Sequence, residues 1–290
     1  MRVLVYGGTG SQSGPVVDEL LNKGHTPVVV TRTMPDNPKE NIEYVTANLS
    51  DRDRLMEINK DIDAVSFLLP AFLGDDDDAA AYGKNAIYAA VYGKVSRFIW
   101  NASGPIYDDP LEPKWEIFDY LKNSGLEYVV FEPTTYMENW LGPWTAPSVL
   151  NDDEVSYPVL DPVKMGWLAS RDVGKLVVAA IEDGTVKNKR FDISGIETPI
   201  GVELAEKFSA ALGRDIKYRA MTPAEMGAAI DAAFGPGSGD RIAEMYRHEQ
   251  ENPDEEPKFH DMTDVLKTFP VEMSTIEDWV RDHRAAFEKE

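Results

Sequence analysis

Over the first 140 positions, short apolar, β-branched runs alternate with stretches of helical period. Arg2–Tyr6 (RVLVY), Thr26–Thr31 (TPVVVT), Glu43–Thr46, Ala64–Leu69 (AVSFLL), Arg97–Asn101 (RFIWN) and Leu126–Glu132 (LEYVVFE) predict strands. Between them, Pro15–Lys23, Arg52–Ile58, Ala79–Tyr92 and Lys114–Asn123 predict helices, with Gly24, Gly93 and Gly125 as C-terminal caps. Strands apolar on both faces and separated by helices predict a covered parallel sheet. This is an α/β doubly wound domain, whose ligands bind at the carboxyl ends of the strands.

Beyond about residue 150 the rhythm changes. Strands are predicted at Lys189–Ile193 and Ile216–Arg219, among helices at Arg171–Glu182, Pro199–Leu212, Pro223–Phe234 and Thr275–Phe287. Gly235–Asp240 (GPGSGD) reads as a flexible turn, and Glu249–Pro257 as an acidic, proline-broken loop. The expected division is a nucleotide-binding domain over 1–150 and a smaller mixed α/β C-terminal substrate region over 151–290. Within that region the chain has room to return to the first sheet. Asp75–Asp78 reads as a solvated helix start; a Ca²⁺ loop would need spaced ligands and a turn glycine.

Composition narrows the function classes. The 290 residues carry 29 Lys and Arg against 51 Asp and Glu, a formal net charge of −22, and no cysteine. Disulfides, thiolate metal sites and cysteine nucleophiles are excluded. The charge argues against nucleic acid or an anionic membrane as partner. The opening MRVLVYGG is too short an apolar run for an export signal, and Ser66 and Pro70 interrupt the longest one, Ala64 to Leu73. A soluble cytoplasmic protein is expected.

The most informative segment is Gly7-Gly8-Thr9-Gly10-Ser11-Gln12-Ser13-Gly14, directly after the first strand and opening the first helix. Tight glycine turns let backbone N–H groups, here those from Thr9 to Ser13, approach a pyrophosphate, and a helix N-terminus favours its charge. Without a following Gly-Lys-Ser/Thr, a Walker A loop is excluded. After the second strand comes Thr31-Arg32-Thr33, with no acid until Asp36 to grip a ribose 2′-hydroxyl. A guanidinium there suits a 2′-phosphate, so NADP(H) is favoured over NAD(H); the competing reading of Arg32 is a solvated loop residue.

These residues resemble the NmrA-like group of atypical short-chain dehydrogenases/reductases. The group's loop reads G-A-T-G-x-Q-G-G; here it is GGTGSQSG, with Ser13 in place of a glycine. Pro133 to Asn139 (PTTYMEN), Ser170 to Gly174 (SRDVG) and Ile276 to Phe287 (IEDWVRDHRAAF) are also similar to family segments. The resemblance implies an NAD(P)-binding Rossmann domain, with Gly7, Thr9, Gly10, Ser11 and Gln12 at the cofactor. It further implies that Leu68, Leu69 and Pro70 border the ribose, that Asn101, Ala102 and Ser103 lie near the nicotinamide, and that Thr134 and Tyr136 flank it.

Most short-chain dehydrogenases use a Tyr-x-x-x-Lys pair, yet none of the twelve tyrosines here has Lys four residues later. The helix opening Pro113-Lys114-Trp115-Glu116 resembles the family's S-K-x-x-x-E-x-x-L helix, with Pro110 at the tyrosine position. This implies that Lys114 binds ribose and handles a proton; on its own it also reads as a solvated helix-start lysine. Ser103, Tyr107 and Tyr136 are candidate hydroxyls for a substrate carbonyl. Trp140, Trp144, Trp167, Met137 and Met165 read either as an apolar substrate cleft or as ordinary core. The four histidines lack metal-ligand spacing, and no G-x-S-x-G elbow is present. Two readings stand: an NADPH-dependent oxidoreductase acting on a small apolar carbonyl, quinone or enone, and a non-catalytic NADP(H)-binding sensor with a protein partner.

Overall fold

The computed structural model describes residues 1–70, 78–255 and 257–288. In chain order the elements are β1 (Arg2–Tyr6), α1 (Gly14–Asn22), β2 (Thr26–Thr31), β3 (Glu43–Thr46), α2 (Arg52–Ile58), β4 (Ala64–Leu68), α3 (Ala79–Gly93) and β5 (Arg97–Asn101). There follow α4 (Pro113–Lys122), β6 (Tyr128–Pro133), α5 (Ala146–Asp152), β7 (Glu154–Tyr157), α6 (Ser170–Glu182) and β8 (Lys189–Ile193). The last are α7 (Gly201–Leu212), β9 (Lys217–Ala220), α8 (Pro223–Phe234), α9 (Asp240–Glu251), α10 (Thr263–Thr268) and α11 (Ile276–Asp282). Short 3₁₀ turns cover Met137–Leu141 and Arg284–Ala286.

Seven strands form one parallel sheet in the order β3-β2-β1-β4-β5-β6-β8. This is the doubly wound sheet that the apolar strands predict, and the order reverses beside β1. Val3 to Val5, Val65, Phe67, Phe98 to Trp100 and Val129 to Phe131 are essentially inaccessible, as strands covered on both faces must be. The glycine caps divide. Gly24 (φ 74°) and Gly125 (φ 84°) adopt the left-handed backbone, whereas α3 is capped by Lys94 (φ 58°). Gly93 meets a different demand: a Cβ there would lie 2.3 Å from the Asn59 carbonyl oxygen at the end of α2. Of the acidic run, Asp78 caps α3 by accepting from the Ala81 N–H at 2.8 Å; Asp75 to Asp77 lie outside the described residues.

Contacts group the chain into two units. The first is Met1–Pro133, Ser170–Ile193 and Thr263–Glu272; the second is Thr134–Ala169, Ser194–Met262 and Met273–Glu290. A division at residue 150 differs from this because β8 completes the first unit's sheet and α6 packs on α1 within it. In the second unit, β7 and β9 pair in parallel, with α7 packed against β9 and α11. The expected loop at Glu249–Pro257 begins as helix, since α9 continues to Glu251 and seats Tyr246 in the core. Among the described residues no helix is long and apolar enough to cross a membrane.

The second unit's core answers the question of the tryptophans. Met137, Trp140, Met165 and Trp167 are at most 3% exposed, and Trp144 packs against the same cluster. Trp140 contacts Trp167, Phe208 and Trp279, with ring centroids 4.6 to 5.4 Å apart. The cleft reading is thereby corrected: these side chains fill a core, because aromatic rings bury most area against one another.

The same core holds Tyr157, whose hydroxyl accepts from Asn139 Nδ2 at 3.1 Å and shares a 2.8 Å hydrogen bond with Tyr246. Burial pushes the Tyr157 phenol up to about 12, against the opposing effect of those hydrogen bonds. An unfolded tyrosine ionises near pH ~10 and the folded one later, so its contribution is whole below that pH and disappears as pH rises toward 12. Urea midpoints measured on either side of this window should fall steeply for the native chain and less for Tyr157→Phe. Equal losses would remove Tyr157 as the cause.

Candidate functional site

Sequence and backbone together make the glycine segment a phosphate-sized cradle. Gly7 leaves β1 with φ 73°, a conformation that costs other residues strain. The Gly10 N–H donates to the Gly7 carbonyl at 2.9 Å and the Gly14 N–H to that of Gly10 at 2.8 Å, closing two successive turns. A Cβ at Gly8 would press within 3.0–3.1 Å of Val17 and Val29, and one at Gly10 would stand 3.3 Å from the Gly7 oxygen. Ser13, the departure from the family loop, has φ −103° and is buried, so no glycine is needed there. Its side chain makes no capping bond to α1; in the helix's first turn Pro15 has no N–H, and those of Val16 and Val17 turn back to the Ser13 carbonyl at 3.2 and 3.4 Å. Thr9, Gly10 and Ser11 are exposed along the open side. Gln12 Oε1, in contrast, is buried without a protein partner.

The remaining first-unit candidates gather along the same carboxyl edge. Arg32 is exposed just past β2, where the Thr31 hydroxyl closes a turn on the Thr33 carbonyl at 2.7 Å. Leu68 ends β4, and its side chain would touch a Cβ at Gly7 at 3.5 Å, so loop and β4 terminus are neighbours. Leu69 is half-buried and Pro70 exposed next to it. Asn101 ends β5, 4% exposed, and its Oδ1 accepts from the Ser103 N–H at 2.9 Å. That bond holds Ser103 in the left-handed region, at φ 52°. Lys114, half-buried at the start of α4, extends its Nζ to the Pro105 carbonyl at 3.4 Å and lies 3.3 Å from where a Gly104 Cβ would sit. Lys114 and Ser103 are thus brought to one turn, and Tyr107 is exposed further along it.

Thr134 and Tyr136 belong to the second unit. The Thr134 hydroxyl donates to the Gly166 carbonyl at 2.6 Å. Tyr136 is 6% exposed, and its backbone bridges Leu168 in parallel register.

Sequence reading missed two residues at this edge. Glu132, buried near the end of β6, and Arg190 of β8 form an ion pair, Nε to Oε1 at 2.6 Å. Glu132 carries a visible signal, since an acid inside the apolar run YVVFEP needs a buried partner. Nothing in the sequence names Arg190, 58 positions later.

A pocket of about 670 Å³ lies elsewhere in the first unit. Glu19 of α1, Lys23 just past its end, Glu182 of α6 and Phe269 to Glu272 line it, by the strands' amino ends. It includes no residue of the glycine loop, and its charges are mixed. The carboxyl edge is the better candidate because backbone donors and an exposed arginine converge there.

A doubly wound sheet with a glycine turn leading into its first helix defines a dinucleotide-binding α/β protein. The comparisons extend this to a family. The NmrA-like family model matches residues 1–280, and the chain belongs to that family. An NAD(P)H azoreductase of Xenophilus azovorans is 25% identical over 253 residues, 84% of this chain and 86% of that one. In structure, the NADPH-dependent quinone oxidoreductase QOR2 of Escherichia coli, complexed with NADPH, aligns at TM-score 0.77. It is 19% identical and covers 97% of this chain and 99% of its own. The triphenylmethane reductase of Citrobacter sp., complexed with NADP(H), aligns at TM-score 0.78 with 13% identity, covering 97% and 99%. The fold is theirs, and NAD(P)H-dependent reductases are among the chain's relatives.

Proposed function

We propose that the protein is an NADPH-dependent oxidoreductase that reduces a small apolar carbonyl, quinone or enone. The observation carrying this reading is the convergence, at one sheet edge, of the glycine cradle, Arg32 and the Ser103–Lys114 turn. Bound NADPH supplies the hydride. The chain's own residues do the rest. The N–H groups of Thr9 and of Ser11 to Ser13, which the loop's own turns leave over, and the α1 dipole hold the pyrophosphate, and Arg32 holds the 2′-phosphate. Leu68 and Pro70 border one ribose; Asn101 and Ser103 shape the nicotinamide end. Lys114 grips the ribose there and provides the proton that the substrate oxygen takes as hydride reaches carbon. Thr134 and Tyr136 as further nicotinamide neighbours rest on the family resemblance.

The absence of a Tyr-x-x-x-Lys pair favours a second reading, an NADP(H) sensor acting through a protein partner. NADPH consumption with a quinone, an azo dye, an aldehyde and an enone separates the two. Tight NADPH binding with no oxidation on any of them would overturn the reductase reading. For the cofactor, Arg32→Ala should weaken NADPH by about ten- to a hundredfold, the worth of a charge-assisted contact, and NADH little. Equal weakening of both would remove the 2′-phosphate assignment.

A further inference from the structure

The turn that carries Ser103 and leads to Lys114 is held from behind. Arg190 lies opposite Val130 in the β6–β8 register, which makes Glu132 its diagonal neighbour on the same sheet face. Arg190 Nε donates to Glu132 Oε1 at 2.6 Å and Nη2 to Oε2 at 2.7 Å, a forked pair. Both partners also reach the backbone of Ile106, itself 4% exposed. The Ile106 N–H donates to Glu132 Oε2 at 2.7 Å, and its carbonyl accepts from Arg190 Nη2 at 2.8 Å. The same guanidinium stands 4.8 Å above the Phe118 ring, one helical turn along α4 from Lys114. One ion pair therefore grips both the loop and the helix that bear the two candidate groups.

We propose that Glu132 and Arg190 are positioning residues that fix the 103–112 loop and the start of α4, aiming Ser103 and Lys114 at the nicotinamide ribose. This rests on the reading of those two groups given above. A fold needing only stability would be served by apolar residues of the same volume here, since a buried pair seldom stabilises more than they do. The pair instead supplies directed bonds to one loop residue, Ile106. Burial of the carboxylate keeps water from competing for them, and the Glu132 hydrogen bond pushes the Arg190 guanidinium up from its ordinary range.

The test uses the full chain with Glu132→Leu and Arg190→Met together, so that no charge is stranded and the contact with Phe118 survives. Hydrogen exchange should be at least tenfold faster across 103–112 and unchanged in β1 and α1. KM for the acceptor should stay within threefold, while NADPH binds several-fold more weakly and kcat for the best acceptor, at saturating NADPH, falls tenfold or more. Arg190→Lys, which keeps one charged donor but not the fork, should fall between, and serves alone if the double variant does not fold. Unchanged exchange in the loop, or a loosened loop with unchanged kcat, would overturn the proposal. Should the native chain reduce nothing, the reductase reading fails by itself; positioning is then read from the fluorescence of bound NADPH. A changed emission in the variant upholds it, and an unchanged one overturns it.

Discussion

Lys114→Ala is expected to lower kcat for carbonyl or quinone reduction by about a hundredfold or more, the scale on which a positioned proton donor acts. The fold should survive, because Lys114 is only half-buried at the start of α4 and alanine is a good helix former there. Lys114→Arg sharpens the reading. Its guanidinium keeps a cation beside the ribose but does not give up a proton near neutral pH. NADPH affinity should therefore recover while turnover does not. Native turnover in Lys114→Ala would refute a role for this side chain, whatever the cofactor affinity.

Gly174→Ala should have the other large effect, on binding and stability together. A Cβ at Gly174 in α6 would come 2.8 Å from the Pro15 carbonyl carbon, 2.9 Å from its oxygen and 3.1 Å from the Val16 nitrogen. All three are backbone atoms, so no rotamer change relieves the contact and α1 must move as a body. Overpacking of this kind costs about 1–3 kcal/mol. The moving end of α1 is the one that leads out of the glycine loop, so NADPH affinity should fall tenfold or more by fluorescence titration. Gly184→Ala, where a Cβ meets nothing within 4 Å, is the control and should match the native chain. Equal NADPH affinity for all three proteins would show that the loop does not depend on the α1–α6 approach.

The first sheet was legible in the sequence because parallel strands buried on both faces have to be apolar throughout. β1, β2, β3, β5 and β8 fall at the residues the pattern gives. The glycine loop was legible for a similar reason, its geometry tolerating few other residues. The second unit was harder. β7 has four residues and its partner β9 begins more than sixty positions later, so neither carries a local sign of the pairing. α9 seats one fully buried residue, Tyr246, among charged neighbours, too few for an amphipathic stripe to show. A cleft and a core ask for the same tryptophans, and only the packing of Trp140 between three other rings separates them. At the site, residues fixed by backbone demand were readable. Those fixed by pairing across the sheet, Glu132 with Arg190, were half visible at most.

The path of the chain has a consequence for its synthesis. Five passages between the two units mean that neither is a stretch of sequence that could be cut out or made on its own. The dinucleotide-binding sheet lacks its last strand until β8 emerges, and its unit is not whole until residue 272. Until then β6 is an open edge, unpaired on one side, with Glu132 lacking its cation. A nascent chain stalled before residue 189 would thus present both a sticky border and a buried-type acid without its mate. The arginine that closes the sheet is the one that grips Ile106, so the loop proposed to serve the chemistry is the last part of the site to be set.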